Sequence, residues 1–331
     1  MNKDLNAQDI REACNMLFDP AEDVVSKANF LRELHRRGET PGEMALFAEE
    51  LLKRSIAPLP PLAPPILEVC GTGGDRLGLF NISTTVMFVA AACGAKVVKI
   101  GNRSTMSLSG GADVLEALHI NLFLPPEKIV AVIESVGCAF LFAPAYYPIL
   151  RSVAGARRLL AEEGSPSLFN FLGPLLNPVR PSHQLVGLCK PTLIEDYASI
   201  LNLLGRKSAW VVCGDAEEGV MDEISTLGKT TVCSLQQGEK EVFEIHPHDF
   251  GIPVAHQKDL LGGDAKENAR ILIRILNGSD RGPRREIVLA NTAAALCVCE
   301  IAADLPQGIL LASEALDSGE ALRRLHALSN W

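Results

Sequence analysis

The stretch ILEVCGTGGDRLGLFNIST at residues 66–84 places a strand, a glycine-rich turn and the start of a helix in close succession. Ile66–Cys70 is a short, largely apolar run that predicts a strand, and Ile82–Cys93 is long enough to predict a helix. A strand followed by a helix is the repeating unit of parallel sheets that are covered by helices. The stretch therefore predicts an α/β fold.

The same alternation continues along the chain and predicts a mostly parallel central sheet flanked by helices. Further strands are expected at Lys96–Ile100, Ala139–Phe142, Leu185–Cys189 and Ala209–Cys213, and helices at Asp113–His119, Leu193–Leu204 and within Arg285–Leu328. Sheets of this kind bind ligands beyond the carboxyl ends of their strands. The loops after Cys70, Ile100 and Cys213 are therefore expected to carry the chemistry.

Residues 8–55 show helical spacing of apolar positions and no strand pattern. Within them, Thr40 can cap a helix, Pro41 fits its first turn and Glu43 completes a capping box. This part predicts a small domain made only of helices.

A proline-rich connector, Ala57–Pro65, follows these helices. Five prolines in this run make it stiff and extended, as is typical of a domain boundary. We expect a helical domain at residues 1–64 and an α/β domain at residues 65–331.

The composition predicts a folded protein without a polyanionic partner. Hydrophobic residues make up 47% of the chain, charged residues 21%, and the formal net charge is −9. Nucleic acid and anionic membranes are therefore not expected as main partners. Met1–Asp4 lacks the apolar core of a signal peptide, and apolar windows such as Thr84–Ala95 are too short to span a membrane. A cytoplasmic protein is expected.

The nine cysteines predict buried free thiols, because they lie in apolar stretches without a CxxC pair. They are Cys14, Cys70, Cys93, Cys138, Cys189, Cys213, Cys233, Cys297 and Cys299.

The glycine-rich turn Gly71–Asp75 suits an anion, since its main-chain N–H groups can approach a ligand closely. It lacks the Gly-Lys-Ser/Thr ending of a Walker A loop, and Arg76 stands where a dinucleotide fingerprint needs glycine. Asn81–Thr84 then opens a helix, whose free amides and positive end favour a phosphate. Simple capping of that helix by Asn81 or Ser83 is the alternative.

Two further segments carry charge in a pattern that fits a pyrophosphate and a cation. The loop Lys99–Gly111 offers Lys99 as a point charge and Arg103 as a planar fork. Asp222 and Glu223 are adjacent carboxylates that repel each other, so a buried loop holding them indicates a cation, whereas a solvated loop would not. Magnesium prefers few protein carboxylates together with phosphate oxygens and water.

Taken in order, these segments resemble the motifs of the anthranilate phosphoribosyltransferase family, which shares its fold with nucleoside phosphorylases. Phe169–Pro178 and Gly262–Ala269 resemble the same family, and the similarity runs from about Asp9 to the last helix. The resemblance implies a homodimer formed through the helical part. It also implies transfer of a phosphoribosyl group from phosphoribosyl pyrophosphate (PRPP), with Mg²⁺, to the nitrogen of an aromatic acceptor, which is anthranilate in tryptophan biosynthesis.

The resemblance also implies roles for individual residues. The PRPP contacts would be Gly71, Gly74, Asp75, Asn81, Ser83, Thr84, Lys99, Asn102, Arg103 and Ser107. Ser83, Asp222 and Glu223 would hold two magnesium ions. The acceptor would meet Gly71, Asn102, Ile100, Tyr147 and Pro166. An aromatic amine is neutral at pH 7, so no residue is assigned as a general base.

Three acceptor positions depart from the family pattern. Ile100 stands in place of a histidine, Pro166 in place of an arginine that holds the anthranilate carboxylate, and Tyr147 in place of the histidine of a Tyr-His-Pro run. Losing a charge-assisted hydrogen bond costs about 1.5–3 kcal/mol, and more if the carboxylate is left unpaired. Either Arg157 or Arg158 compensates, or the acceptor is a neutral or less acidic ring.

Two other functions fit parts of the pattern. A nucleoside phosphorylase would use free phosphate instead of PRPP. A non-catalytic relative would use the cleft for nucleic acid or another partner. The intact donor motifs and the negative net charge of the chain argue against this alternative. His246 and His248 flank a proline in a polar segment and are expected at the surface, not as metal ligands.

Overall fold

The computed structural model describes residues 4–56, 62–104 and 108–331. Part of the predicted proline connector and the predicted PRPP contact Ser107 lie outside these ranges. The helices are α1 (Ala7–Phe18), α2 (Val24–Arg37), α3 (Pro41–Leu52), α4 (Ile82–Ala92), α5 (Gly111–Ala117), α6 (Pro126–Val136), α7 (Ala143–Tyr146), α8 (Ala154–Glu162), α9 (Phe169–Leu172), α10 (Ile194–Leu203), α11 (Ala265–Leu276), α12 (Pro283–Val298), α13 (Leu305–Asp317) and α14 (Glu320–Ser329). The strands are β1 (Leu67–Gly71), β2 (Val97–Gly101), β3 (Cys138–Phe142), β4 (His183–Gly187), β5 (Ser208–Asp215), β6 (Val220–Met221), β7 (Thr230–Gln236) and β8 (Glu239–Ile245).

The strands form one sheet in the order β3-β2-β1-β4-β5-β7-β8, and the short strand β6 pairs with β5. The first five strands of this order are parallel, whereas β7 and β8 add an antiparallel hairpin at one edge. Helices α4 and α12 cover one face of the sheet and α10 covers the other. The predicted α/β class and mostly parallel sheet are confirmed.

Helix α3 of the helical N-terminal segment begins as its sequence indicates. The Thr40 hydroxyl accepts from the Glu43 main chain, the Glu43 carboxylate accepts from the Thr40 main chain, and Pro41 opens α3. Helix α3 packs on α10 and α2 packs on α8, so these helices share a continuous apolar core with the sheet. The boundary at residue 64 stays a prediction.

Side chains join β1 and β2 where their carboxyl-terminal halves diverge. Backbone pairing relates Leu67 to Val97 at the start of the two strands. Further on, the Glu68 carboxylate accepts from the Ile100 main-chain N–H at 3.2 Å. On the other face, Lys99 Nζ donates to the Val69 carbonyl at 2.7 Å. Burial raises the pKa of Glu68 to about 7. The end of β2, which leads into the second loop, is thus fixed by buried polar contacts.

Two further expectations can be compared with the structure, which also contains one element that was not expected. The β7–β8 hairpin was not predicted from the sequence. In the structure, the two residues of its turn, Gln237 and Gly238, both have positive φ, as a type I′ hairpin turn requires. All nine cysteines are free thiols, as expected, but only six are buried: Cys93, Cys189 and Cys297 are partly exposed, contrary to the expectation. Among the helices of the described ranges, none is both long and apolar enough to cross a membrane.

Candidate functional site

The acidic pair reaches the glycine-rich turn because two strands end in glycine. A Cβ on Gly71, the last residue of β1, would overlap the Asp222 carboxylate. A Cβ on Gly187, the last residue of β4, would overlap the Asp222 main-chain carbonyl. Gly71 was expected to make room for a bound anion. In the structure it makes room for a carboxylate of the protein itself.

The two carboxylates bind main-chain amides that were predicted to bind phosphate. Asp222 Oδ2 accepts from the Gly73 N–H at 2.6 Å, and Glu223 Oε1 accepts from the Ser83 N–H at 3.2 Å. Ser83 lies in the first turn of α4, and the Asn81 side chain does not cap that helix. The simple-capping alternative is therefore wrong for Asn81. The positive end of α4 therefore faces the Glu223 carboxyl group.

The electrostatics of this cluster favour a cation. Burial and the nearby Asp75 raise the pKa of Asp222 to about 6. Burial and the charge of Asp222 raise the pKa of Glu223 well above its ordinary value. Lys99, only 5% exposed, lies close enough to lower both pKa values, and its Nζ donates to Ser83 Oγ at 3.1 Å. Buried carboxylates in mutual repulsion are stabilised by any additional positive charge.

A buried amide on α12 holds the acidic pair in place. Asn291 Oδ1 accepts from the Ile224 N–H at 2.9 Å, and Asn291 Nδ2 donates to the Ile224 carbonyl at 2.9 Å. Ile224 directly follows Glu223, so this clamp fixes the main chain beside both carboxylates. Sequence reasoning missed Asn291. The available signal was a single amide within the mostly apolar part of α12 after Glu286, where an unpaired polar group is costly.

The second loop is closed tightly at its base. Asp113 Oδ2 accepts from the main-chain N–H groups of Ser104 and Gly110, each at 2.9 Å. Arg103, predicted to bind PRPP, forms a bidentate pair with Glu116 at 2.5 and 2.8 Å. Its guanidinium is therefore engaged by a carboxylate and would have to change partners to bind a pyrophosphate.

The other predicted donor contacts differ in exposure. Gly74 and Asn102 are exposed, Asn81 is partly exposed and Thr84 is buried. The structure thus brings the first loop, the start of α4, Lys99 and the acidic pair together at one edge of the sheet.

The three residues that depart from the family pattern are not alike in the structure. Ile100 is buried, and Pro166 is exposed. Tyr147 is 1% exposed and donates its hydroxyl to the Leu176 carbonyl at 2.6 Å. This hydroxyl is already satisfied inside the protein. None of the three side chains supplies a positive charge to an acceptor.

Two exposed cations lie against the aromatic rings of α9. The Arg157 guanidinium is 5.3 Å from the centre of the Phe169 ring, and Lys190 Nζ is 5.4 Å from that of Phe171. Lys190 follows β4 closely, at the sheet edge that carries the acidic pair. The neighbouring Arg158 is 81% exposed and lies 3.9 Å from Glu162. Arg157 and Arg158 are therefore in different environments.

The donor set fits a hard cation that takes additional ligands from a substrate. In the part of the chain that the structure describes, no group of three or more His, Cys, Asp or Glu side chains is arranged to hold a metal ion. Asp222, Glu223 and the Ser83 hydroxyl supply oxygen donors only, which is the chemistry that magnesium prefers.

Comparisons with known proteins cover almost the whole chain. Residues 63–322 match the family described as "Glycosyl transferase family, a/b domain". The anthranilate phosphoribosyltransferase of Petrotoga mobilis is 40% identical over 98% of this chain and 92% of its own length, and that of Syntrophomonas wolfei is 41% identical over 99% and 94%. The crystal structure of the Thermus thermophilus enzyme superposes with a TM-score of 0.91 at 36% identity, covering 99% of this chain and 96% of that one. The Saccharomyces cerevisiae enzyme, solved in complex with PRPP and Mg, has a TM-score of 0.87 at 28% identity and covers 98% and 93%.

Proposed function

This chain belongs to the anthranilate phosphoribosyltransferase family, and on that premise we propose how its cleft works. PRPP binds with Mg²⁺ beside the glycine-rich turn, and its phosphoribosyl group is transferred to the nitrogen of an aromatic amine, by default anthranilate. One observation carries the proposal. The Gly73 and Ser83 amides already bind two carboxylates, so the site is built to receive oxygen anions.

The acidic pair fits Mg²⁺ as the partner of that anion. The small size of Gly71 and Gly187 and the hydrogen bonds of Asn291 to Ile224 keep the main chain of the acidic pair next to the amide site. Two carboxylates leave most of the coordination shell to water and phosphate oxygens, as magnesium prefers. We place one ion at the acidic pair and a second at Ser83.

In the proposed reaction, the protein mainly positions PRPP and stabilises charge. Bound Mg²⁺ would neutralise the charge that develops on the departing pyrophosphate. The amides of Gly73 and Ser83 and the ammonium of Lys99 hold that pyrophosphate. Departure from C1 of the ribose runs ahead of attack by the amine, so no side chain has to act as a strong base. Asp222 and Glu223 leave the amides when the pyrophosphate arrives.

For the acceptor, we propose that Arg157 replaces the missing cation. Ile100, Pro166 and Tyr147 offer no charge to the anthranilate carboxylate. Arg157 presents a planar guanidinium that matches a carboxylate in geometry, and in the described part of the chain this guanidinium lies against the Phe169 ring. An aromatic surface beside a cation also suits the ring of the substrate.

Steady-state turnover with PRPP and Mg²⁺ tests this function and this acceptor together. Wild type should convert anthranilate faster than aniline, which lacks the carboxylate. Arg157→Leu should raise the KM for anthranilate roughly tenfold to hundredfold, the cost of one charge-assisted hydrogen bond. Arg158→Leu, the matched control, should change it less than about twofold, as expected for an exposed pair.

Equal rates with both amines in wild type would favour a paralogue with a neutral acceptor. Turnover with neither, in the presence of PRPP and Mg²⁺, would count against the proposed reaction itself.

We further propose a homodimer formed through α1–α3 and a cytoplasmic location. Family membership supports the first, and nine free thiols, which persist in a reducing compartment, support the second.

A further inference from the structure

A chain of hydrogen bonds links the segment Gly262–Ala269 to the second loop. Gly263 N–H donates to Asn268 Oδ1 at 2.8 Å. Asn268 Nδ2 donates to Asn81 Oδ1 at 2.8 Å, and Asn81 Nδ2 donates to the Ser109 carbonyl at 3.1 Å. Asn268 is 3% exposed, and Asn81 is partly exposed at the cleft edge. This chain of hydrogen bonds, called the relay below, therefore runs from a partly exposed glycine segment through the buried Asn268 to Asn81, a predicted PRPP contact.

The direction of every bond in this relay is fixed by its two ends. A main-chain N–H can only donate, so Asn268 must present its oxygen to Gly263 and its NH₂ group to Asn81. A main-chain carbonyl can only accept, so Asn81 must present its NH₂ group to Ser109. Either amide would lose a hydrogen bond if it flipped. The second N–H on Asn81 Nδ2 is consequently the group that Asn81 offers to a ligand.

Close packing holds the buried end of the relay in place. A Cβ on Gly262 would lie 2.6 Å from Asn268 Oδ1 and 2.8 Å from the Phe80 Cα. The Gly262 N–H donates to the Gly78 carbonyl at 2.8 Å, and the Phe80 N–H donates to the Leu260 carbonyl at 3.2 Å. The segment is thus attached to the chain that directly precedes Asn81. The glycine at position 262 thus allows the close approach that the relay needs.

We propose that Asn268 is a positioning residue, which turns the amide of Asn81 so that it donates to the pyrophosphate of PRPP. This inference rests on the proposed function and adds a residue that does not touch the substrate. If Asn81 were reversed, its carbonyl oxygen would face phosphate oxygens and a donor would be lost. The relay also couples the placement of Asn81 to the second loop through Ser109.

Calorimetric titration of PRPP in the presence of Mg²⁺ tests the relay through two substitutions at Asn268. Asn268→Leu removes the relay without adding charge. Asn268→Asp keeps an acceptor for Gly263 but cannot donate to Asn81, which then has to reverse. Each should weaken PRPP binding roughly tenfold to hundredfold, the effect expected for a hydrogen bond to a charged group. Glu267→Gln, at the adjacent exposed position, is the control and should bind like wild type.

A double-mutant cycle with Asn81→Ala separates positioning from general damage. If Asn268 acts through Asn81, Asn268→Leu should cost less than about threefold in the Asn81→Ala background. An equal loss in both backgrounds, or no loss in either, would overturn the inference. Failure of wild type to bind PRPP would overturn the proposed function as well, so the two failures are distinguishable. Thermal unfolding without ligand identifies a variant that is misfolded. If Asn268→Leu is misfolded, Asn268→Asp, which preserves side-chain size, provides the test instead.

Discussion

Replacing Asp222 with Asn and Glu223 with Gln together is expected to have opposite effects on turnover and on anion binding. Mg²⁺-dependent turnover should fall roughly 10³-fold, because several kcal/mol of charge stabilisation depend on the ion. Binding of metal-free pyrophosphate should become about tenfold tighter, since neutral amides compete less well than carboxylates for the Gly73 and Ser83 N–H groups. Steady-state kinetics and calorimetry with pyrophosphate in EDTA would measure the two effects.

The control for this variant is the acidic doublet Glu217–Glu218, which lies in an exposed turn of the same segment. Changing both residues to Gln removes the same net charge and should alter neither turnover nor pyrophosphate binding by more than about twofold. If the Asp222–Glu223 variant bound metal-free pyrophosphate no better than wild type, the carboxylates would not be competing for the anion site.

Gly187→Ala is expected to reduce turnover strongly and to destabilise the fold. The new Cβ would overlap the Asp222 carbonyl, which is main chain and cannot rotate away as a side chain could. The acidic pair would have to shift, and the two hydrogen bonds between Asn291 and Ile224 would be broken. We expect a loss of about 1–3 kcal/mol in the free energy of unfolding, typical of overpacking. Turnover should fall roughly hundredfold or more, since small displacements at a reacting centre are that costly. Urea unfolding and steady-state kinetics would measure both.

Gly173→Ala is the matched control for this substitution. Gly173 has helical backbone angles, and a Cβ there would meet nothing within 4 Å. Alanine should therefore be neutral, or stabilise the protein by about 0.4–1 kcal/mol. Full activity of Gly187→Ala would mean that Asp222 does not need its present position.

Much of the fold follows from local sequence patterns. The capping box at Thr40 depends only on residues that are neighbours in the chain, and the structure contains it. The same is true of the strands that precede the glycine-rich turn and the second loop, which lie within one or two residues of their predicted bounds. The carboxyl ends of parallel strands necessarily share one edge, so the meeting of the first loop with Lys99 could also be predicted.

The contacts that define the site could not be predicted, because they join residues far apart in sequence. Gly71 opens a glycine-rich turn, which suggested an anion site. In the structure, its lack of a Cβ leaves room for the carboxylate of Asp222, which is 151 positions later in the chain. Arg103 looked available for a pyrophosphate, but Glu116 on α5 engages it. Asn268 and Asn291 are single amides in helices, and only the packing of α11 and α12 reveals their partners.

Calorimetric titration of the wild-type protein with PRPP, with and without Mg²⁺, tests the central claim most directly. We expect saturable binding with Mg²⁺ at millimolar concentration. Most of that affinity should be lost when EDTA removes the metal, because Asp222 and Glu223 then remain hydrogen-bonded to the Gly73 and Ser83 amides. Absence of binding at any Mg²⁺ concentration, or equally tight binding in EDTA, would contradict a cleft that holds PRPP through metal and main-chain amides.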